Sequence, residues 1–174
     1  MPRIHVCALN PIDTTAQAIG ARSMVTLINP DYPVERPLVI APHRHHRVNI
    51  SDILEPIEGH VAPGAHHVEN FLQFVRDWDR LHPMLIHCYA GVSRSTAAAY
   101  IAACALAPER DERQTAQLLR HLSPTATPNL LLVRHADAIL GRDQRMVRAI
   151  EAIGRGEECA EGVPFALEIG RAKV

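Results

Sequence analysis

The sequence predicts an α/β domain: a central, mostly parallel sheet flanked by helices, with a helical C-terminal part. Three observations predict it. Short apolar runs alternate with helical patterns over the first half of the chain. The run Met84-Leu85-Ile86-His87-Cys88 is a short buried strand that leads straight into an alanine-rich helix. Helical spacing then dominates to about residue 153.

The elements follow in order. Ile4 to Leu9 is apolar and part-alternating, a strand. Asn10-Pro11 offers a cap with proline at the first helical position, and a short helix through Thr14–Ala18 stops at Gly20. Met24 to Ile28 is a second, β-branched strand bounded by Asn29-Pro30. Pro30, Pro33, Pro37 and Pro42 make the next stretch irregular. Arg47 to Ile50 is a third short strand that runs into a loop from Ser51 to Pro56. Val68, Phe71, Leu72, Val75 and Leu81 keep helical spacing, so an amphipathic helix is predicted to end near Leu81, before Pro83. After the strand ending at Cys88, a buried helix spans Arg94 to Leu106. Three more follow over Glu112–His121, Asn129–Leu140 and Gln144–Ile153. Residues 1–153 form one domain, and 154–174 is a glycine-punctuated tail without an assigned structure.

Composition narrows the function. The chain has 174 residues, 47% hydrophobic and 21% charged, enough for one domain with a real core. The net charge of -1 gives no electrostatic case for a nucleic-acid partner. No run approaches about 18 consecutive apolar residues, and Met1 to His5 starts no secretory h-region, so neither a membrane span nor a signal peptide is expected. Cys7, Cys88, Cys104 and Cys159 lie far apart, which argues against a disulfide framework or a zinc ribbon. A reduced, cytoplasmic protein is expected. Each cysteine is first a small buried hydrophobe, Cys88 excepted.

The chemistry concentrates in His87-Cys88-Tyr89-Ala90-Gly91-Val92-Ser93-Arg94-Ser95-Thr96. A strand, a compact loop and a helix start make an oxyanion cradle. The N–H groups of Tyr89, Ala90, Gly91, Val92, Ser93 and Arg94 can point inward, and the helix N-terminus adds positive potential. Arg94 can hold two phosphate oxygens in a planar, bidentate contact. Cys88 sits at the bottom of the cradle. A free cysteine titrates near ~8.5, and such surroundings lower it to roughly 3.5–7.5, which yields a nucleophilic thiolate. Ser95 can donate its hydroxyl to that sulfur. His87 supports the loop from behind by bonding its carbonyls. The bland reading makes Cys88 a core cysteine and Arg94 a surface residue.

This ten-residue stretch resembles the His-Cys-x5-Arg-Ser/Thr signature of the protein tyrosine and dual-specificity phosphatase superfamily, closest to the compact dual-specificity type. The resemblance implies a phosphatase-like fold and two-step hydrolysis through a phosphocysteine, with no metal or cofactor. It also implies a general acid on an upstream loop. Asp52, 36 residues before Cys88, is the candidate acid, with Glu55 and Glu58 on the same loop as fallbacks. Asp77 and Asp79 are poor candidates, being on a helix face that meets solvent. The resemblance further suggests that Asn129 braces the loop. The substrate is a phosphorylated protein or a small phosphate ester. The alternatives are a non-catalytic phosphate-binding module or an inositol-lipid substrate, the latter disfavoured because the loop carries no extra Lys or Arg.

One cluster stands apart: His43, His45, His46, His60, His66 and His67 fall within 25 residues. No supporting cysteine or regular carboxylate spacing accompanies them. Solvated loop histidines are the preferred reading over metal ligands.

Overall fold

The computed structural model describes residues 1–170. The last four positions of the tail lie outside the described residues. The elements are β1 (Arg3–Cys7), α1 (Ile12–Ile19), β2 (Ser23–Ile28), β3 (His45–Asn49), α2 (Ala65–Arg76), β4 (Met84–His87), α3 (Arg94–Leu106), α4 (Glu112–Leu122), α5 (Leu130–Leu140), α6 (Arg145–Ile153) and β5 (Phe165–Glu168). The strands form one sheet in the order β3-β2-β4-β1-β5. The first four are parallel, and β5 runs antiparallel to β1 at the edge.

The inner strands are buried on both faces, so their alternating side chains enter two separate cores. Ile4, Val6, Val25, Leu27, Met84 and Ile86 point into the larger core beneath α2 to α6. Cys7, Met24 and Leu85 point the other way, against Ile12 and Ala16 of α1. Helix α3 is buried along nearly its whole length, which explains its run of alanines: small side chains let it lie close to its neighbours. No helix among the described residues is long and apolar enough to cross a membrane.

Three expectations need correction. Helix α2 ends at Arg76 with Asp77 as its C-cap, so Leu81 lies beyond it and is exposed. The reversal is fixed by Arg80 in the left-handed region and by the Trp78 indole N–H donating to the His82 carbonyl. Strand β3 starts two residues early, at His45, because a 3-10 turn over Pro42–Arg44 delivers the chain to the sheet. Cys159 is exposed, unlike the buried Cys7, Cys88 and Cys104. The structure also adds β5, in the segment the sequence leaves unassigned.

Candidate active site

The site lies where β4 ends and α3 begins, at the carboxyl edge of the parallel strands. Residues 88–93 connect the two. The loop's carbonyls are taken up from outside by five different partners. The His87 ring Nδ1 meets the Cys88 carbonyl at 3.0 Å. Leu9 N–H donates to Tyr89, Gly162 N–H to Ala90, Thr127 N–H to Val92 and Asn129 N–H to Ser93, at 2.8–3.2 Å. In a trans peptide the C=O and the next N–H point in opposite directions, and no cis bond occurs among the described residues. Outward carbonyls at 88, 89, 90, 92 and 93 therefore turn the N–H groups of Tyr89, Ala90, Gly91, Ser93 and Arg94 inward. One of these is seen directly: Gly91 N–H reaches the Cys88 sulfur at 3.3 Å.

Gly91 is required by both its conformation and its neighbours. Its φ of 71° lies in the left-handed region, and a Cβ there would stand 2.8 Å from the Ala8 nitrogen. The loop is thus pressed against the end of β1.

Cys88 is buried, and its Sγ lies 3.0 Å from Ser95 Oγ. Two hydrogen-bonding groups, the Gly91 amide and the Ser95 hydroxyl, thus converge on the sulfur. Arg94 is also buried, with its Nη1 donating to Asn29 Oδ1 at 2.7 Å and to the Ile50 carbonyl at 2.9 Å. Its Nε is buried with no hydrogen-bond partner among the described residues. One edge of the guanidinium is therefore anchored to the protein, which leaves further donors for an anion.

Behind the loop, His87 is fully buried. The Cys88 carbonyl can only accept, so Nδ1 carries the proton. Nε2 then accepts from Thr26 Oγ1 at 2.7 Å, and that hydroxyl accepts from His45 Nε2 at 2.8 Å. With His87 neutral the bonds run from His45 through Thr26 to His87. Burial, the largest cause, lowers the pKa values of His87 and His45 to about 4 each.

Asp52 lies on the loop after β3, at the exposed rim. Its Oδ1 accepts from Ser93 Oγ at 2.7 Å and from Asn129 Nδ2 at 2.9 Å. Asn129 also caps α5 by accepting from Leu132 N–H at 3.0 Å and donates to the Ile53 carbonyl, so it joins the Asp52 loop to the helix. Glu55 and Glu58 are exposed on the same loop, and Asp79 is paired with Arg44 far from it. Tyr89 is exposed on the other rim, in edge contact with Tyr32 at 5.8 Å.

A buried cysteine, an anchored arginine and a carboxylate at the rim thus surround one small loop of inward amides. Residues 56–125 match the protein-tyrosine phosphatase family model. The match covers well under half of the chain, and the fold as a whole is similar to that of dual-specificity phosphatases. The fold is similar to that of the Cydia pomonella PTP-2 phosphatase, at 21% identity and a TM-score of 0.61, over 78% of this chain and 84% of that one. It is similar to DUSP15 at 18% identity and 0.60, over 91% and 96%. It is also similar to PTPMT1, solved in complex with PI(5)P, at 13% identity and 0.57, over 80% and 94%. No protein of curated function matches the sequence.

The loop from Cys88 to Ser95 gathers Cys88, Gly91, Arg94 and Ser95, and sets Asp52 against Ser93. The histidines spread over different tasks. His45 joins the Thr26 chain, His46 stacks on Phe74, and His67 Nδ1 accepts from Gly64 N–H at the start of α2. Among the described residues no three His, Cys, Asp or Glu side chains converge as for a metal ion. Sequence reasoning missed Asn29, Thr26, Thr127 and Gly162. Asn29 and Thr26 flank the end of a strand, where ligand-facing polar residues collect. Thr127 and Gly162 carry no signal toward the loop, because they meet its carbonyls through backbone N–H groups.

Proposed function

We propose that this chain is a metal-independent phosphatase that hydrolyses phosphate monoesters, of the phosphotyrosine or dual-specificity type, through a phosphocysteine intermediate. The observation that carries this reading is the buried Cys88 sulfur on the floor of an amide-lined loop, met by Gly91 N–H and Ser95 Oγ. Arg94 and the inward amides hold the three non-bridging phosphate oxygens. Cys88 Sγ attacks phosphorus as the ester P–O bond breaks, and Asp52 gives its proton to the leaving oxygen. In the second step Asp52 takes a proton from water, whose oxygen attacks phosphorus. The P–S bond breaks, and the sulfur leaves as a thiolate that receives the Ser95 hydroxyl. Inorganic phosphate is released. The proposed setting is the cytoplasm, where such a thiol stays reduced.

A second reading, an inositol-lipid phosphatase, is favoured by the PTPMT1 structure with PI(5)P. Against it, residues 89–93 supply no Lys or Arg for a polyanionic headgroup. The test is hydrolysis of a chromogenic aryl phosphate in the presence of a chelator. Wild-type protein is expected to turn over, and Cys88→Ser to fall to the buffer blank. Turnover that survives Cys88→Ser, or that the chelator abolishes, overturns the proposal. Tight oxyanion binding with no turnover supports a binding module instead.

A further inference from the structure

A cleft of about 790 Å³ opens beside the cradle and shares Asp52 and Ser93 with it. That volume suits a peptide segment rather than a single ion. One wall is residues 154–159, the first part of a strap (154–162) that runs from α6 toward β5. The strap is seated by its backbone. Gly156 N–H donates to Thr127 Oγ1 at 3.0 Å, and Glu157 N–H to the Pro124 carbonyl at 2.9 Å. Gly162 N–H then donates to the Ala90 carbonyl of the cradle at 2.8 Å. The approach is so close that a Cβ at 162 would meet the Gly91 carbonyl oxygen at 2.8 Å. The wall of the cleft and the cradle loop are therefore one connected body.

The charges on this cleft have one dominant sign. Asp52, Glu151, Glu157 and Glu158 line it, against Arg155 alone. Arg155 is itself paired with Glu158 at 3.3 Å, and both side chains are largely exposed. A phosphate held in the cradle thus has an acidic surface on this side, within reach of the residues next to it in a substrate chain. Such a surface repels additional phosphates and acidic neighbours and attracts cations.

Resting on the phosphatase reading above, we infer that the strap makes this a phosphatase for phosphopeptides in which a basic residue flanks the phosphorylated one. Glu151, Glu157 and Glu158 are its specificity-determining side chains. They touch the substrate away from the reacting atoms, so they act on kcat/KM for peptides and leave small aryl phosphates alone.

The experiment compares matched phosphotyrosine peptides flanked by Arg, Ala or Glu, with the aryl phosphate as reference. Wild-type and Glu157→Lys/Glu158→Lys proteins are assayed at low and at physiological salt. Wild type is expected to prefer Arg over Ala over Glu, by roughly two- to fivefold for each charge, with the spread shrinking as salt rises. The double variant is expected to invert that order while its aryl phosphate turnover stays unchanged. Equal rates on the three peptides, or an order the variant does not alter, overturns the inference. So does faster turnover of vesicles containing a phosphatidylinositol phosphate than of the Arg peptide. Failure of aryl phosphate turnover would strike the phosphatase reading instead. Fluorescence anisotropy of the same peptides on Cys88→Ser protein then still reads the charge preference, and equal binding of all three sinks it.

Discussion

The two sides of the site are built differently. On the sulfur side, Cys88 is buried and the loop around it is tied through backbone carbonyls to Leu9 just beyond β1, to Thr127 and Asn129 of the 123–129 loop and to Gly162 of the C-terminal strap. On the acid side, Asp52 is exposed and is held by two side-chain donors, Ser93 and Asn129. A geometry set by many backbone bonds is rigid before any ligand arrives, which is what anion binding requires. A carboxylate held by two neutral side chains can exchange those partners for a leaving oxygen or a water. On the proposed function, binding falls to the first side and proton transfer to the second.

The strongest way to break that division is Asp52→Asn. Turnover of aryl phosphate should drop by about 10²–10⁴-fold in kcat, while the affinity for inorganic phosphate stays near wild type. A matching loss of phosphate affinity would show that Asp52 belongs to the cradle. A smaller effect is expected on the sulfur side from Ser95→Ala, which removes the hydroxyl that lies 3.0 Å from the Cys88 sulfur and is proposed to donate to the departing thiolate. The second step should slow by roughly 10- to 100-fold, so rapid-mixing traces gain a burst of leaving group before the steady state. Slowing of the burst itself would place Ser95 in the first step.

The mildest prediction concerns the wiring behind the loop. His87 stays neutral in the folded protein, with a pKa of about 4 in place of 6.5, chiefly through burial. The unfolded chain takes up that proton first as pH falls. The stabilisation is therefore complete above about pH 6.5 and is lost progressively as pH falls toward 4, by about 3 kcal/mol. Urea midpoints at neutral and acidic pH should differ accordingly, and His87→Asn should reduce the difference while the share carried by His45, whose pKa is also lowered to about 4, remains. An equal pH dependence in that variant would mean the loss arises elsewhere.

How far the sequence disclosed all this depended on who makes the contact. Met84 to Cys88 announced a buried strand, and the helix start at Arg94 followed from the loop before it. Cys88, Arg94 and Ser95 were legible because their side chains carry the chemistry and their spacing is short. Asn129 was legible only through resemblance. Asn29, which anchors Arg94 across 65 residues of sequence, was not, because long-range pairing leaves no local pattern. Gly162 and Thr127 contribute N–H groups that every residue but proline owns. Strand β5 was hidden for a related reason. It is only four residues long, and its register with β1 is fixed by backbone pairing at a sheet edge, with Arg3 and Glu168 joined by a 2.8 Å ion pair. The early end of α2 was missed because Leu81 continued the apolar spacing past the turn at Arg80.

The cradle itself is tested most directly by a crystal structure of the protein with vanadate. The account predicts vanadium bonded to Cys88 Sγ, with its equatorial oxygens on the amides of residues 89–94 and on the Arg94 guanidinium. Vanadate bound away from Cys88, or Arg94 turned from the oxygens, would contradict it.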